Sequence, residues 1–211
     1  AEITRNTLLI GREARVSDAV FNTTIFSGDD AKAVNNNWNN SDTSLPTPFQ
    51  DVDNAIERVR AKTGIARNQL SLILTDSAIK YLLRTDVIRG DIKYTENIHR
   101  LSKEQKLQFL AQFFHIKEVI EVTAMENTSE LGVKASFGRI WDTSYGMVAK
   151  LCNSELNSWK IPGLGRQPAW SKVAKDYVME SYPENQTDAE IIRARERRGE
   201  KVFSKFGCLL T

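Results

Sequence analysis

Cysteine and histidine are scarce in this chain of 211 residues. Cys152 and Cys208 lie far apart and outside any CxxC spacing, so they provide neither a disulfide framework nor a structural zinc site. His99 and His115 have no cysteine and no paired carboxylate at the spacing that metal ligands need. The sequence therefore predicts no metal site, and we expect no cofactor.

Motifs for nucleophilic, metal-assisted or phosphoryl chemistry are also missing, since the chain contains no GxSxG, no HExxH and no P-loop. Gly163 and Gly165 lack the third glycine and the following helix of a phosphate-binding loop, and they indicate a turn. Asp51 and Asp53 resemble an acid pair, but the helix dipole already explains carboxylates in a first helical turn. No catalytic residue is predicted, and we expect that the protein is not an enzyme.

Long apolar runs and a strong excess of one charge are absent as well. The longest apolar stretches, such as residues 70–74, are far shorter than the roughly 18 residues that a membrane span needs. Lys and Arg total 29 against 27 for Asp and Glu, and this near-balance disfavours dedicated DNA binding. Hydrophobic residues at 41% and charged residues at 27% are typical of globular proteins, so we expect a folded chain without a membrane partner.

The first half of the chain carries strong helix signals. Residues 3–22 contain no proline and have apolar side chains at helical spacing, which predicts one long surface helix. Residues 22–45 are rich in Asn, Asp and Ser and predict a loop, with Trp38 as its anchor. Thr47, Pro48 and Gln50 predict a capping box and a second helix over residues 48–62. This helix has an apolar face followed by a C-terminal glycine, namely Val52, Ala55, Ile56, Val59 and Gly64.

Strand signals begin at residues 69–75, a nearly continuous apolar run typical of a strand that is covered on both faces. Thr75 or Asp76 is placed to cap a short helix that follows, and Ser102 with Gln105 predicts another capping box. The remaining strands are expected at 116–123, 137–141, 145–151, 176–182, 189–198 and 201–206.

A cluster of arginines is the sharpest local charge feature. It comprises Arg193, Arg195, Arg197 and Arg198. Alternate residues on a strand face the same side, so three of these guanidinium groups would align and could bind phosphate. Glu190, Glu196 and Glu200 interleave with them, however, and predict cross-strand or inter-subunit ion pairs. We therefore interpret this arginine row as a subunit contact rather than a DNA site.

Several short stretches occur in an order that matches a known family. They are residues 8–13, 26–28, 38, 63–64, 68–74, 91–95, 107–113, 116–119, 140–142, 177–178 and 199–202. Together they span nearly the whole chain, and they resemble the major capsid proteins of tailed phages of the Caudovirales type, which have the HK97-like fold.

The resemblance implies an α+β subunit with two domains. A peripheral domain with a spine helix and a long β-hairpin would comprise residues 1–68 and 169–211, and an axial domain would comprise residues 69–168. The family's N-terminal arm and extended loop would lie before Ala1. No inter-subunit crosslink is carried over, because the loop that would supply its lysine is not in this sequence.

The same resemblance implies a structural function in an icosahedral phage or prophage capsid, built from pentamers and hexamers in the host cytoplasm. The expected partners are further copies of the chain, scaffold and portal proteins, and packaged DNA held nonspecifically. Arg193, Arg195, Arg197, Arg198 and Trp38 are the candidate subunit contacts. Two alternatives stay open: an encapsulin-type nanocompartment shell, and an α/β enzyme whose site is assembled from distant residues.

Overall fold

Five helices and eleven short strands make up the described part of the chain. The computed structural model describes residues 2–93, 101–129, 132–152, 161–168, 178–184, 189–196 and 198–211. The helices are α1 (Glu2–Val20), α2 (Pro48–Thr63), α3 (Asp76–Leu82), α4 (Asp86–Lys93) and α5 (Lys103–Phe113). The mixture of helices and strands confirms the predicted class.

The strands form one central sheet and three two-stranded ribbons. The central sheet contains β1 (Ala31–Lys32), β2 (Ser71–Thr75), β3 (Glu118–Val122), β6 (Gly146–Ala149) and β11 (Gly207–Leu210). The ribbons pair β4 (Met125–Asn127) with β5 (Phe137–Arg139), β7 (Gly165–Arg166) with β10 (Lys201–Val202), and β8 (Val178–Glu184) with β9 (Ala189–Arg195).

The helix signals of the sequence are mostly confirmed. Gly64 ends α2 in the left-handed conformation with φ of 68°, and its N–H donates to the carbonyl of Arg60 at 2.7 Å. Ser102 and Gln105 form the predicted capping box at α5, and the Thr75 hydroxyl accepts from an amide of α3.

The capping box predicted at Thr47 is wrong. Thr47 lies at the N-cap of α2, but its hydroxyl makes no capping hydrogen bond and is buried without a partner among the described residues. Its ψ of 61° is the reason, since the capping residues Thr75 and Ser102 have extended backbones with ψ of 158° and 164°.

The central sheet is covered on both faces, as the apolar run of β2 predicts. Its order is β1-β11-β6-β2-β3, in which β2 runs parallel to β3 and antiparallel to β6. Leu72 and Leu74 pack on the side of α2, α3 and α5, whereas Ile73 packs on the side of Phe26 and Trp141. All five residues of β2 are buried, so this strand is the centre of the core.

The last strand was predicted at residues 201–206, and this prediction is wrong. That segment contains the two-residue strand β10 and a 3₁₀ turn, Ser204–Phe206, and the final strand is the fully buried β11. The four residues of β11 are too few to show the alternating pattern that would indicate a strand. Gly207 admits β11 to the sheet, because an added Cβ would lie 2.7 Å from Leu164 Cδ1 and 3.1 Å from Phe26 Cε1.

The central sheet takes strands from both predicted domains. β1 and β11 belong to the segments 1–68 and 169–211, whereas β2, β3 and β6 belong to the segment 69–168. The predicted boundaries therefore run through one sheet and its core, and the division into peripheral and axial domains stays a prediction.

The strands expected at 137–141 and 145–151 exist in shorter form, as β5 and β6. They do not pair with each other, because β5 pairs with β4, and β6 pairs with β2 and β11.

Candidate subunit interface

Two elongated elements, helix α1 and the hairpin β8–β9, lie beside each other. The hairpin strands pair antiparallel over seven residues each, from Val178 opposite Arg195 to Glu184 opposite Ala189. Within the described ranges neither strand pairs with a third strand, so both hairpin edges present free backbone groups. Such an edge is suited to contacts with another chain.

An ion-pair clamp fixes the base of this hairpin to α1. Arg15 donates from Nε to Glu200 at 3.1 Å and from Nη2 to Glu196. Arg12 lies 3.9 Å from the second oxygen of Glu196. The Glu196 side chain is only 7% exposed, and the hydrogen bond to it raises the pKa of Arg15. The clamp therefore gives a nearly buried carboxylate a guanidinium partner.

Further contacts attach the C-terminal half of α1 to the body of the protein. The Trp141 indole donates to Glu13 at 2.7 Å, and the Ser17 hydroxyl donates to the carbonyl of Ile140 at 3.1 Å. Phe21 packs edge-on against Trp141 with ring centroids 5.1 Å apart. These contacts define the orientation of α1 relative to the central sheet.

Apolar side chains remain exposed on α1 and on the hairpin. Ile3 is 83% exposed and Ile10, two turns later on α1, is 39% exposed; Tyr182 and Ile192 on the hairpin are 43% and 41% exposed. Burial of such apolar side chains against a neighbouring subunit would lower the free energy of the assembly. We call the exposed surfaces of α1 and β8–β9 the lateral surface.

The structure places the predicted arginine row only in part. Arg193 and Arg195 are exposed on β9, Arg198 is half-buried after it, and Arg197 lies outside the described residues. Arg195 pairs across the hairpin with Glu180, and this hydrogen bond lowers the pKa of Glu180. The predicted cross-strand pairing is thus found at Arg195, with Glu180 as the partner.

The interleaved glutamates have different partners from those expected. Glu190 accepts a hydrogen bond from the Ser181 hydroxyl across the hairpin, whereas Glu196 and Glu200 pair with α1. Sequence reasoning singled out these glutamates but missed Arg12 and Arg15, because the two sides of the clamp are more than 180 residues apart in the chain.

Trp38 anchors its loop within the subunit. Its indole donates to Asp51 Oδ2 at 2.9 Å, and the Asn35 backbone N–H donates to the other oxygen at 3.0 Å. Asp51 is 5% exposed, and burial raises its pKa against the effect of these two hydrogen bonds. The anchoring role is confirmed, whereas the subunit contact of Trp38 stays a prediction.

Replacement of Trp38 by phenylalanine is expected to lower the free energy of unfolding by about 2 kcal/mol at pH 7, because Asp51 loses a hydrogen bond to its charged form. That bond holds the pKa of Asp51 down, so its loss matters only when the carboxylate is ionised. The hydrogen-bond part of the effect should therefore shrink as the pH falls through the raised pKa. Urea unfolding at pH 7 and at pH 4, near the ordinary pKa of an Asp side chain, measures it.

Tyr182→Phe is the control for Trp38→Phe, because it changes an exposed aromatic side chain. We expect a change within about 0.5 kcal/mol at either pH. An effect of Trp38→Phe that is equal at pH 7 and pH 4 would contradict the role of the Asp51 carboxylate.

Three further features concern metal ligands, the buried thiol and helix hydropathy. No group of three or more metal-ligating side chains converges within the described ranges. Burial raises the pKa of the Cys208 thiol to about 11, so its reactive thiolate form is suppressed. None of the helices that the structure describes combines the length and apolar character needed to cross a membrane.

Comparison with known proteins gives the fold a context. No family model and no curated protein sequence matches the chain. Its structure is similar to that of a phage-related protein from Bordetella bronchiseptica RB50, with a TM-score of 0.76, 18% identity and 97% of this chain covered. It is also similar to a virus-like particle from Pyrococcus furiosus, with a TM-score of 0.50, 12% identity and the same coverage. The chain therefore shares its fold with a phage-related protein and with a virus-like particle.

The chain spans 63% of the length of each of these two solved structures. The likeness therefore covers nearly all of this chain but only part of each relative. At 18% and 12% identity it establishes a fold shared with these two structures, and the resemblance to tailed-phage major capsid proteins stays a prediction.

Proposed function

We propose that this chain is a structural subunit of an icosahedral phage or prophage capsid, in which pentamers and hexamers enclose DNA. The observation that carries the proposal is the structural likeness to a phage-related protein over 97% of the chain. The likeness to a virus-like particle supports a shell. Residues 1–68 and 169–211 would form its peripheral domain, and residues 69–168 its axial domain.

The lateral surface supports this proposal physically. A shell subunit repeats the same contacts around several symmetry positions, and its stability comes from many modest contacts summed over the particle. Exposed apolar side chains on α1 and β8–β9, together with unpaired hairpin edges among the described residues, are suited to such contacts. In the assembled particle they would be covered by neighbouring copies.

A nanocompartment shell of the encapsulin type is the second candidate, and the likeness to a virus-like particle favours it to the same degree. It would enclose a protein cargo instead of DNA. For the phage capsid, scaffold and portal proteins are the further partners that we propose, with assembly in the cytoplasm of a bacterial host and residence in the virion.

Negative-stain microscopy of the complete gene product tests the proposal. Closed particles of uniform diameter are expected after expression in a bacterial host. Nucleic acid or scaffold in the particles would indicate a phage capsid, whereas a stoichiometric protein cargo would indicate a nanocompartment. Small discrete oligomers at every concentration, with no closed particles, would contradict both and favour an enzyme.

Charge reversal in the arginine row is expected to impair assembly more than it lowers the melting temperature. Arg195 is an exposed position of β9, and an exposed ion pair contributes little to the stability of the subunit. A contact that is repeated at every subunit interface has a much larger effect on the particle. We expect at least a tenfold lower particle yield, measured by sedimentation.

A charge swap separates the two functions of Arg195. The double variant Arg195→Glu with Glu180→Arg restores the pair within the hairpin but reverses the charges that a neighbour meets. Particle yield should stay low if Arg195 contacts another subunit. Recovery of the wild-type yield would show that only the intramolecular pair matters.

A further inference from the structure

A cleft on the helical side of the protein is not part of the lateral surface. It lies among α3, α4 and α5 and has a volume of about 590 Å³. Seven residues line it: Ser77, Lys80, Tyr81, Leu83, Arg84, Arg89 and Lys106. The cleft thus combines four cationic groups and two hydroxyl groups with no acidic side chain among its described lining residues.

The positive charge of the cleft is largely uncompensated. Lys80 lies 3.4 Å from Asp76, but Arg84, Arg89 and Lys106 make no ion pair with any described residue. Many other cations of the described chain are paired with acids, including Arg12, Arg15, Arg58, Arg60, Lys62, Lys103, Arg139 and Arg195. Three cations that form no ion pair with a described residue thus meet at one concave place.

The donor set suits the phosphate backbone of nucleic acid. A phosphodiester chain offers two accepting oxygens and one negative charge at every nucleotide to guanidinium, ammonium and hydroxyl donors. The Ser77 and Tyr81 hydroxyls add two neutral donors to the four cations. An acidic peptide offers carboxylates to the same donors, and competition by polyglutamate tests that alternative.

The exposure of the cations favours an extended ligand over a small one. Lys80, Arg84 and Arg89 are exposed at the rim, and only Lys106 among the cations is half-buried. Among the described lining residues Tyr81 and Leu83 are the apolar ones, which is little for a pocket that would enclose a small organic ligand. Charges that reach outwards can contact successive phosphates of a long polyanion.

We infer that this cleft binds the backbone phosphates of nucleic acid through Lys80, Arg84, Arg89 and Lys106. The inference rests on the proposed function, because a capsid subunit meets packaged DNA. It refines the expectation of purely diffuse contact, since the binding is local to one cleft. The cleft would contact phosphates and no base edges, so its affinity for DNA should not depend on the base sequence.

Fluorescence anisotropy of a labelled DNA duplex with the chain measures this binding between about 50 and 200 mM salt. Four phosphate contacts predict a slope of log affinity against log salt of about −3.6. The Arg84→Gln and Arg89→Gln double variant should reduce the slope to about −1.8 and lower the affinity about 50-fold at 0.1 M salt.

The matched control is the double variant Lys134→Gln and Lys205→Gln, which removes the same charge from exposed positions outside the cleft. It should keep the wild-type slope. Equal weakening by both variants would show diffuse attraction and overturn the inference. So would polyglutamate that competes as well as an unlabelled duplex, or inorganic phosphate that competes at equal phosphate concentration.

Thermal unfolding and particle formation separate the two proposals. All four substituted positions are exposed, so both variants should unfold at the wild-type temperature. If closed particles form but the cleft variant binds DNA like the wild type, only the cleft inference fails. If DNA binding follows the predicted slopes but no particles form, the proposed shell function fails.

Discussion

Leu72→Ala is expected to lower the free energy of unfolding by about 3 kcal/mol, because it opens a cavity at the centre of the sheet. Leu72 is 0% exposed and lies opposite Val119 on β3 and Val148 on β6. β2 is held by ladders to β3 on one side and to β6 on the other, so the backbone around Leu72 cannot readily collapse into the space. A chain of this length should melt about 6–12 °C lower, as measured by calorimetry.

The same substitution at an exposed position provides the control for Leu72. Leu45 is 47% exposed, so Leu45→Ala should cost less than about 1 kcal/mol. Similar losses at the two positions would contradict the central place of β2 in the core. Leu72→Ala should also lower particle yield through loss of folded subunit, and yield per folded chain should stay unchanged.

Arg15→Ala is expected to lower the free energy of unfolding by about 2 kcal/mol, because it removes the hydrogen-bonded guanidinium from the nearly buried carboxylate of Glu196; the other ion pair found for Glu196 among the described residues is the longer one with Arg12. The expected loss is below the 3–5 kcal/mol typical of a fully buried pair, since the Arg15 side chain is 47% exposed. Urea unfolding measures the loss. The hairpin base should also gain mobility, which amide hydrogen exchange in β9 would detect.

Arg60→Ala is the matched control for Arg15→Ala, because it removes another helical arginine from an ion pair. Its partner Glu57 is 53% exposed and can be solvated by water, so a change within about 0.5 kcal/mol is expected. If the two variants lose equal stability, the burial of Glu196 does not determine the effect. Particle yield should fall for Arg15→Ala alone, since α1 then no longer fixes the hairpin.

Predictions from the sequence succeeded where adjacent residues determine the structure. α1 and α2 follow from apolar side chains at helical spacing, and the left-handed Gly64 ends α2 where only glycine is unstrained. The Ser102–Gln105 box forms because both members are three residues apart. The β8–β9 hairpin likewise follows from two strand patterns separated by a turn.

Predictions failed where the outcome depends on distant residues. β11 is a strand because β6 and β1 offer it free backbone groups, and its four apolar residues alone carry no periodic signal. Thr47 has the right neighbours for a capping box, but the path of the loop before α2 gives it an unsuitable ψ. The residue type defines which hydrogen bonds and packing contacts are possible, but it does not define which distant residue takes part in them.

The same contrast between neighbouring and distant residues holds for the candidate interface. The arginine row and its interleaved glutamates were visible in the sequence, whereas the clamp partners Arg12 and Arg15 were not. The basic cleft draws its cations from three helices, and a list of charged residues does not distinguish paired cations from unpaired ones.

The sequence by itself determined helices α1, α2, α3 and α5, the caps at Gly64, Thr75 and Ser102, the buried strand β2 and the terminal hairpin, because spacing and backbone preference act between neighbours. Only the tertiary structure decided the sheet order, the pairing of α1 with the hairpin and the position of uncompensated charge. These depend on contacts between residues far apart in the chain, whose energies no local pattern encodes.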